Sequence, residues 1–216
     1  MRGFLITLEG IDGSGKSTVS RLLAHSLGQV LPSRRLVFTA EPTNGEMGKI
    51  LRSHLSSASS WPEEISKAKR MEELFLFMAD HADHLSKVII PSLQEGAVVI
   101  SDRYADSTAA YQGVTLSGIV PDPVEWIRSV SCPWNVTPDL TIVFTIDPAL
   151  ALKRIGSRTI AEKFERAEFL KEVDENFRRI AEIEPERVAL VDASQKVEDV
   201  AKVALSLILR KIEPSS

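Results

Sequence analysis

The chain has 216 residues, a formal net charge of −4, and 44% hydrophobic and 26% charged residues. That length suits one packed domain over residues 1–216, and the composition is that of a soluble globular protein. The acidic balance without a basic arm speaks against nucleic acid as partner, the single Cys132 excludes an internal disulfide, and no apolar run nears the ~20 residues of a membrane span. The chain runs at once into an apolar segment with no signal-peptide pattern, so the expected setting is the cytoplasm.

Phe4–Leu8 reads as a buried strand. Directly behind it, Gly10-Ile11-Asp12-Gly13-Ser14-Gly15-Lys16-Ser17 fits the pattern G-x-x-x-x-G-K-[ST]. Val19, Leu22, Leu23 and Leu27 then place a helix over Ser14–Leu27. Strand, glycine loop and helix together are the context of a phosphate cradle: backbone N–H groups turn inward and the helix N-terminus adds positive potential. Lys16 is placed to reach β- and γ-phosphates, and Ser17 to offer a hydroxyl to Mg²⁺.

Further strands are predicted at Leu36–Thr39, Ala97–Ile100, Leu140–Ile146 and Val188–Val191. Helices are predicted at Met47–Leu55, Pro62–Leu85, Leu85–Gln94, Pro123–Ser131, Glu165–Glu182 and Val197–Lys211. The strand runs lack alternation, as strands covered on both faces do. Strand–helix alternation implies a three-layer α/β/α fold on a five-stranded parallel sheet, with ligands at the carboxyl ends of the strands. Those ends carry Asp12, Glu41-Pro42-Thr43, Ser101-Asp102-Arg103-Tyr104, Asp147 and Asp192. An acid after the third strand of a phosphate-loop protein is suited to Mg²⁺, which points to Asp102, and Arg103 supplies planar donors for phosphate. Arg154, Arg158, Lys163 and Arg166 punctuate a stretch with no apolar stripe, a pattern shared by solvated faces and by mobile arginine-bearing lids.

Glu9 through Thr18, Glu41-Pro42-Thr43, Leu76 through Asp80, Asp102-Arg103-Tyr104 and Ala110-Tyr111-Gln112-Gly113 together resemble a thymidylate kinase of the P-loop nucleoside monophosphate kinase superfamily. The resemblance runs along nearly the whole chain. It implies ATP as donor, dTMP as acceptor, Mg²⁺ as the metal and a homodimer as the assembly. It implies ATP binding by the loop from Gly10 through Ile11, Asp12, Gly13, Ser14, Gly15, Lys16 and Ser17 to Thr18, with Arg154 beside it. Lys16, Arg103, Asp12 and Arg158 are the implied catalytic residues, Arg158 belonging to a short lid over residues 154–166 that replaces a missing loop arginine. On the acceptor side it implies Asp12 near the sugar hydroxyl, Arg52 and Arg103 on the phosphate, Phe77 stacked on the base, and Thr108 and Gln112 at its edge. It further implies Tyr111 beneath the deoxyribose, with Glu41 and Pro42 completing the wall.

One position departs from the family pattern. His81 stands where an arginine is usual, four residues after Phe77 on the same helix face. Three expectations follow: His81 still contacts the base, or selectivity is relaxed or altered towards dUMP or another nucleotide, or the change is compensated by Gln112, Thr108 or His84. A deoxynucleoside kinase and a P-loop ATPase switch are the more distant readings, the former disfavoured by Arg52 and Arg103.

Overall fold

The computed structural model describes residues 2–56, 63–156 and 160–212. Five strands, β1 (Phe4–Glu9), β2 (Leu36–Ala40), β3 (Val98–Asp102), β4 (Leu140–Thr145) and β5 (Val188–Asp192), form one sheet in the order β2-β3-β1-β4-β5. All four pairings are parallel. The absence of alternation in these runs has its cause here, since Leu5, Ile6, Leu8, Val98, Val99, Ile100, Ile142 and Phe144 are all essentially inaccessible. Register brings Leu8 and Ala40 level with Asp102, and Glu9 level with Val143. The ends of β1, β2 and β3 therefore open together on one edge, beside the point where the chain switches from one half of the sheet to the other.

Helices cover both faces of the sheet. In chain order they are α1 (Lys16–Val30), α2 (Glu46–Ser56), α3 (Glu63–His84), α4 (Ile90–Gln94), α5 (Ala105–Thr115), α6 (Pro123–Ser131), α7 (Pro148–Ile155), α8 (Ile160–Ile183) and α9 (Val197–Ile212). α1 packs on α9, α5 on both α6 and α8, and α2 on α3. The sequence reading runs α3 directly into a helix ending at Gln94; the structure inserts a π-helical turn over Leu85–Ile89. Pro91 has no N–H to donate back to this turn, and the wider π pitch accommodates the missing bond.

Two helices were not predicted. α5 lacks an apolar stripe because it is enclosed nearly all round, with Asp106, Ser107, Ala109, Ala110, Gln112 and Gly113 buried. α7 is short and begins at Asp-Pro: the Asp147 side chain caps it, accepting from Leu150 N at 3.0 Å. Asp147, expected as a polar strand-end residue, is thus a helix cap. Helix also occupies much of the stretch expected as a lid over 154–166, through Ile155 on one side and from Ile160 on the other. Arg158 lies outside the described residues. Among the described residues no helix is long and apolar enough to cross a membrane.

Candidate active site

The loop after β1 is shaped by its glycines. Gly13 has φ +83°, and a Cβ there would sit 2.4 Å from the Ala151 carbonyl of α7, so any side chain would meet backbone. The loop ends at Gly15, the left-handed residue in front of α1. Lys16 is buried within the loop, its Nζ donating to the carbonyls of Gly10 (2.8 Å) and Ile11 (3.0 Å) and to Ser14 Oγ (3.4 Å). The ammonium group thus fills the cradle. Burial, with Arg103 adding to it, lowers the Lys16 pKa to about 7 against the pull of Asp102, Asp12 and Glu9. Ile11 contributes only its backbone here, because its side chain is sealed in the core.

A cavity of about 350 Å³ opens on this loop, lined by Gly13, Gly15, Lys16, Ser17, Thr18 and Asp102 among others. Ser17 Oγ donates to Asp102 Oδ2 at 2.9 Å, which brings the hydroxyl and carboxylate expected at the metal into contact. No group of three or more His, Cys, Asp or Glu side chains suited to a metal exists among the described residues. One carboxylate and one hydroxyl fit Mg²⁺, which takes most of its ligands from water and substrate phosphates. Arg154 lies alongside, Nη1 3.9 Å from the position of a Gly15 Cβ, and donates from both Nη atoms to the Ala193 carbonyl at 3.2 Å.

A second cavity of about 270 Å³ adjoins the first, lined by Asp12, Glu41, Pro42, Leu55, Phe77, Asp80, Arg103, Tyr104, Ser107, Thr108, Tyr111 and Gln112. Asp12, Glu41 and Arg103 line both cavities. Arg103 adopts φ +71°, unusual for a side-chain-bearing residue, which turns its guanidinium back across the loop. Nη2 donates to Asp12 Oδ1 (2.6 Å) and Tyr111 OH (3.1 Å), and Nη1 to Ser107 Oγ (2.9 Å). Burial opposes its charge, yet Tyr111, Asp12 and Glu9 together hold the pKa above the ordinary arginine value. Tyr111 OH also accepts from Asp12 N at 3.1 Å, tying the phosphate loop to α5. Arg166 of α8 reaches the other Asp12 oxygen at 3.5 Å, so guanidinium groups flank this carboxylate on two sides.

Gln112 carries an unmet demand. Its Nε2 donates to Glu73 Oε1 at 2.8 Å, which fixes the amide orientation. Its Oε1 is buried with no hydrogen-bond partner among the described residues. Arg52 stands at the rim rather than on the cavity wall, exposed, with Nη1 donating to the Pro42 carbonyl at 3.1 Å.

His81 is not on that wall, contrary to the acceptor contact expected of it. Its ring is turned inward, packed edge-on against Tyr104 (centroids 4.5 Å apart) and near Trp134 (5.4 Å), and its nitrogens meet Glu41 and Asn135. The imidazole bonds Glu41, and it is Glu41 that lines the cavity.

Glu9, Ser107, Asp80, His84 and Arg166 belong to the site's frame without having been assigned to it from the sequence. Glu9 is the most unusual. It is fully buried, bonds Ser107 Oγ through one oxygen, and has no partner for the other among the described residues. Burial, reinforced by Asp106, raises its pKa to about 8. The available signal was its position at the inner end of β1, level with Val143 on a sheet covered on both faces.

A model of the family described as thymidylate kinase matches residues 8–203. The chain belongs to the thymidylate kinase family. A probable thymidylate kinase of Methanosarcina acetivorans is 48% identical over 210 residues, 97% of each chain. One from Methanococcoides burtonii is 44% identical over 214 residues, covering 99% of this chain and 100% of the relative. The crystal structure of thymidylate kinase from Ehrlichia chaffeensis superimposes with a TM-score of 0.73 at 28% identity, covering 96% of this chain and 100% of that one. Membership in the thymidylate kinase family makes the protein a nucleoside monophosphate kinase, a phosphotransferase, on a P-loop fold.

Proposed function

We propose that the protein transfers the γ-phosphoryl group of ATP to the phosphate of dTMP, giving ADP and dTDP. The observation that carries this reading is the second cavity itself, which joins an arginine-bearing wall shared with the phosphate loop to the side chain of Gln112. The Gln112 Oε1 is sealed from solvent without a partner among the described residues, and a buried acceptor costs about 1–3 kcal/mol when unmet, so a turn of the amide towards a donor on the base is favourable. Thymine presents an N3–H donor at neutral pH, whereas cytosine presents an acceptor at N3. Phe77 and Tyr111 line the same cavity with apolar rings for base and sugar.

The chemistry is mainly a matter of bringing two polyanions together. Lys16 draws the donor phosphates into the loop, and its ammonium leaves the carbonyls of Gly10 and Ile11 for phosphate oxygens. Arg103, already oriented by Asp12, Tyr111 and Ser107, faces the acceptor phosphate at the shared wall, with Arg52 at the rim. Ser17 and Asp102 would hold Mg²⁺, which supplies charge neutralisation between phosphates. No observation favours the base-selectivity alternative, and His81 itself makes no contact that would select another base.

A single domain, a cytoplasmic setting and a homodimer complete the reading. Exposed Ile65 and Phe75 on α3, with Val130 and Trp134 on or beside α6, support self-association through those helices. The test is ATP turnover with dTMP, dUMP, dCMP and dGMP as separate acceptors. Turnover should require an acceptor and should be fastest with dTMP; equal rates with dCMP would overturn the role given to Gln112.

A further inference from the structure

Three side chains of α3 converge on the turn after β2. The Asp80 carboxylate accepts from Thr43 N (2.8 Å) and Thr43 Oγ1 (2.5 Å). His81 Nδ1 and His84 Nδ1 both meet Glu41 Oε1, at 2.8 and 2.7 Å. An ionised carboxylate only accepts, so both Nδ1 atoms carry hydrogen. The other nitrogens differ. His84 Nε2 faces Thr39 Oγ1 at 2.7 Å, and a hydroxyl can donate, so one ring proton satisfies His84. His81 Nε2 faces Asn135 Oδ1 at 3.0 Å; with the amide in this orientation the carbonyl oxygen accepts, and His81 carries both of its protons. The arrangement makes His81 the cation for a Glu41 side chain that is only 8% exposed.

The surrounding groups favour that state. Burial works against charge on His81, but Glu41, the Asn135 bond and neighbouring Asp80 raise its pKa above the ordinary histidine value. Burial works against charge on Glu41 too, and His81 and His84 more than offset it. From the β3–α5 side comes Tyr104, whose hydroxyl donates to the Val136 carbonyl at 3.0 Å and is held protonated well beyond its usual range. From beyond α6 come Trp134 and Asn135, which bear no charge.

We propose that His81, as an imidazolium, is a positioning residue for the acceptor: it holds Glu41 at the wall common to both cavities and, through Pro42, seats Arg52 at the acceptor rim. The proposal rests on the reading of the second cavity as a nucleoside monophosphate pocket. Its link to Arg52 is the Pro42 carbonyl, which accepts from the guanidinium at 3.1 Å. Without the second proton on His81 the Nδ1–H bonds to Glu41 remain but lose their charge assistance, His81 Nε2 is left facing the Asn135 oxygen without a hydrogen, and the hold on the turn carrying Pro42 weakens. The sign follows from the directions above. The His81 contribution is complete below the ordinary histidine pKa and disappears as pH rises through the elevated one. Glu41 stays ionised to below the ordinary carboxylate range, so the contact weakens on the alkaline side first.

The test combines a spectroscopic and a kinetic readout on the full-length protein. In ligand-free wild type near neutral pH, ¹⁵N-detected ring shifts, assigned by their loss in His81→Arg, should show both His81 nitrogens protonated. From about pH 6 to about pH 10, KM for dTMP should rise by roughly ten- to a hundredfold as one proton is lost, the scale for a buried hydrogen bond to a charged group. KM for ATP, which titration of Lys16 moves over the same interval, should change by the same factor in wild type and in His81→Arg. His81→Arg, whose charge does not titrate there, should lose the alkaline rise, and His81→Gln should show an elevated KM for dTMP at every pH. A neutral His81 ring near pH 7, or the same alkaline rise in His81→Arg, overturns the proposal. Should one of the two variants fail to fold, the other assigns the His81 signals by their loss, and the wild-type ring state decides. A wild type that does not phosphorylate dTMP overturns the functional reading instead, and the ring measurement distinguishes the two failures.

Discussion

Gly48→Ala separates two effects that ordinarily act together. Alanine in a helix is favoured over glycine by about 1 kcal/mol, so the change should stabilise α2 taken alone. In the folded chain a Cβ at Gly48 would lie 2.0 Å from the Thr43 carbonyl oxygen and 2.7 Å from its carbon, where ordinary contact begins at 3.4 Å. Helix and turn must then part by more than an ångström. Over-packing of this kind costs about 1–3 kcal/mol, so net stability should fall by up to about 2 kcal/mol. For a chain of this size each kcal/mol is worth about 2–4 °C in Tm. Arg52 lies one helical turn beyond Gly48, on the same face, and bonds the residue next to Thr43. A displacement of about 1 Å at a phosphate-positioning arginine costs about a hundredfold in rate constant. The expected result is a small drop in Tm by differential scanning fluorimetry, a roughly hundredfold lower kcat/KM for dTMP, and an unchanged KM for ATP. A raised Tm with kcat/KM for dTMP close to that of the parent would refute the close approach of α2 to the turn as the element that seats Arg52.

Glu9→Gln should stabilise the protein near neutral pH. With the folded pKa raised to about 8 from 4.5, the folded state holds more protons than the unfolded one between those values, and stability falls as pH rises through that window. Keeping this carboxyl protonated at neutral pH costs about 3 kcal/mol at 1.36 kcal/mol per pKa unit, so the Tm–pH profile of the variant should be higher and flatter there; coincident profiles would contradict the burial argument. Tyr111→Phe removes the oxygen that accepts from Asp12 N and Arg103, and should lower kcat/KM by roughly ten- to a hundredfold with little change in Tm, measured by steady-state kinetics and thermal unfolding. Asp102→Asn keeps the shape of the side chain and loses its charge. It should raise the Mg²⁺ concentration for half-maximal turnover by about tenfold or more, read from a metal titration at saturating nucleotide.

The phosphate loop and the Asp102–Arg103 pair were legible because each is a local pattern whose partners follow from parallel strands ending together. The five strands were legible for the same reason. α5 was not, since a helix enclosed on nearly every side has no polar face to establish a period. His81 was misplaced because helix spacing fixes the direction of a Cβ and not what stands in front of it. Glu41 intervenes from a turn 40 residues away in the chain. Glu9 and Ser107 were missed because their significance lies in burial depth, which a single sequence does not record. Gln112 was expected at the base on family grounds alone. Its free oxygen became visible only once Glu73 was seen to occupy the other end of the amide.

The wall between the two cavities has a thermodynamic consequence. Asp12, Glu41 and Arg103 belong to both chambers, and the carboxylate of Asp12 holds Arg103. With Arg103 as the acceptor-phosphate ligand proposed above, donor and acceptor affinities are expected to be coupled. Whatever factor ATP imposes on the dissociation constant of dTMP, dTMP must impose on that of ATP. Variants at Asp12 or Arg103 should change this shared coupling factor in addition to either affinity by itself.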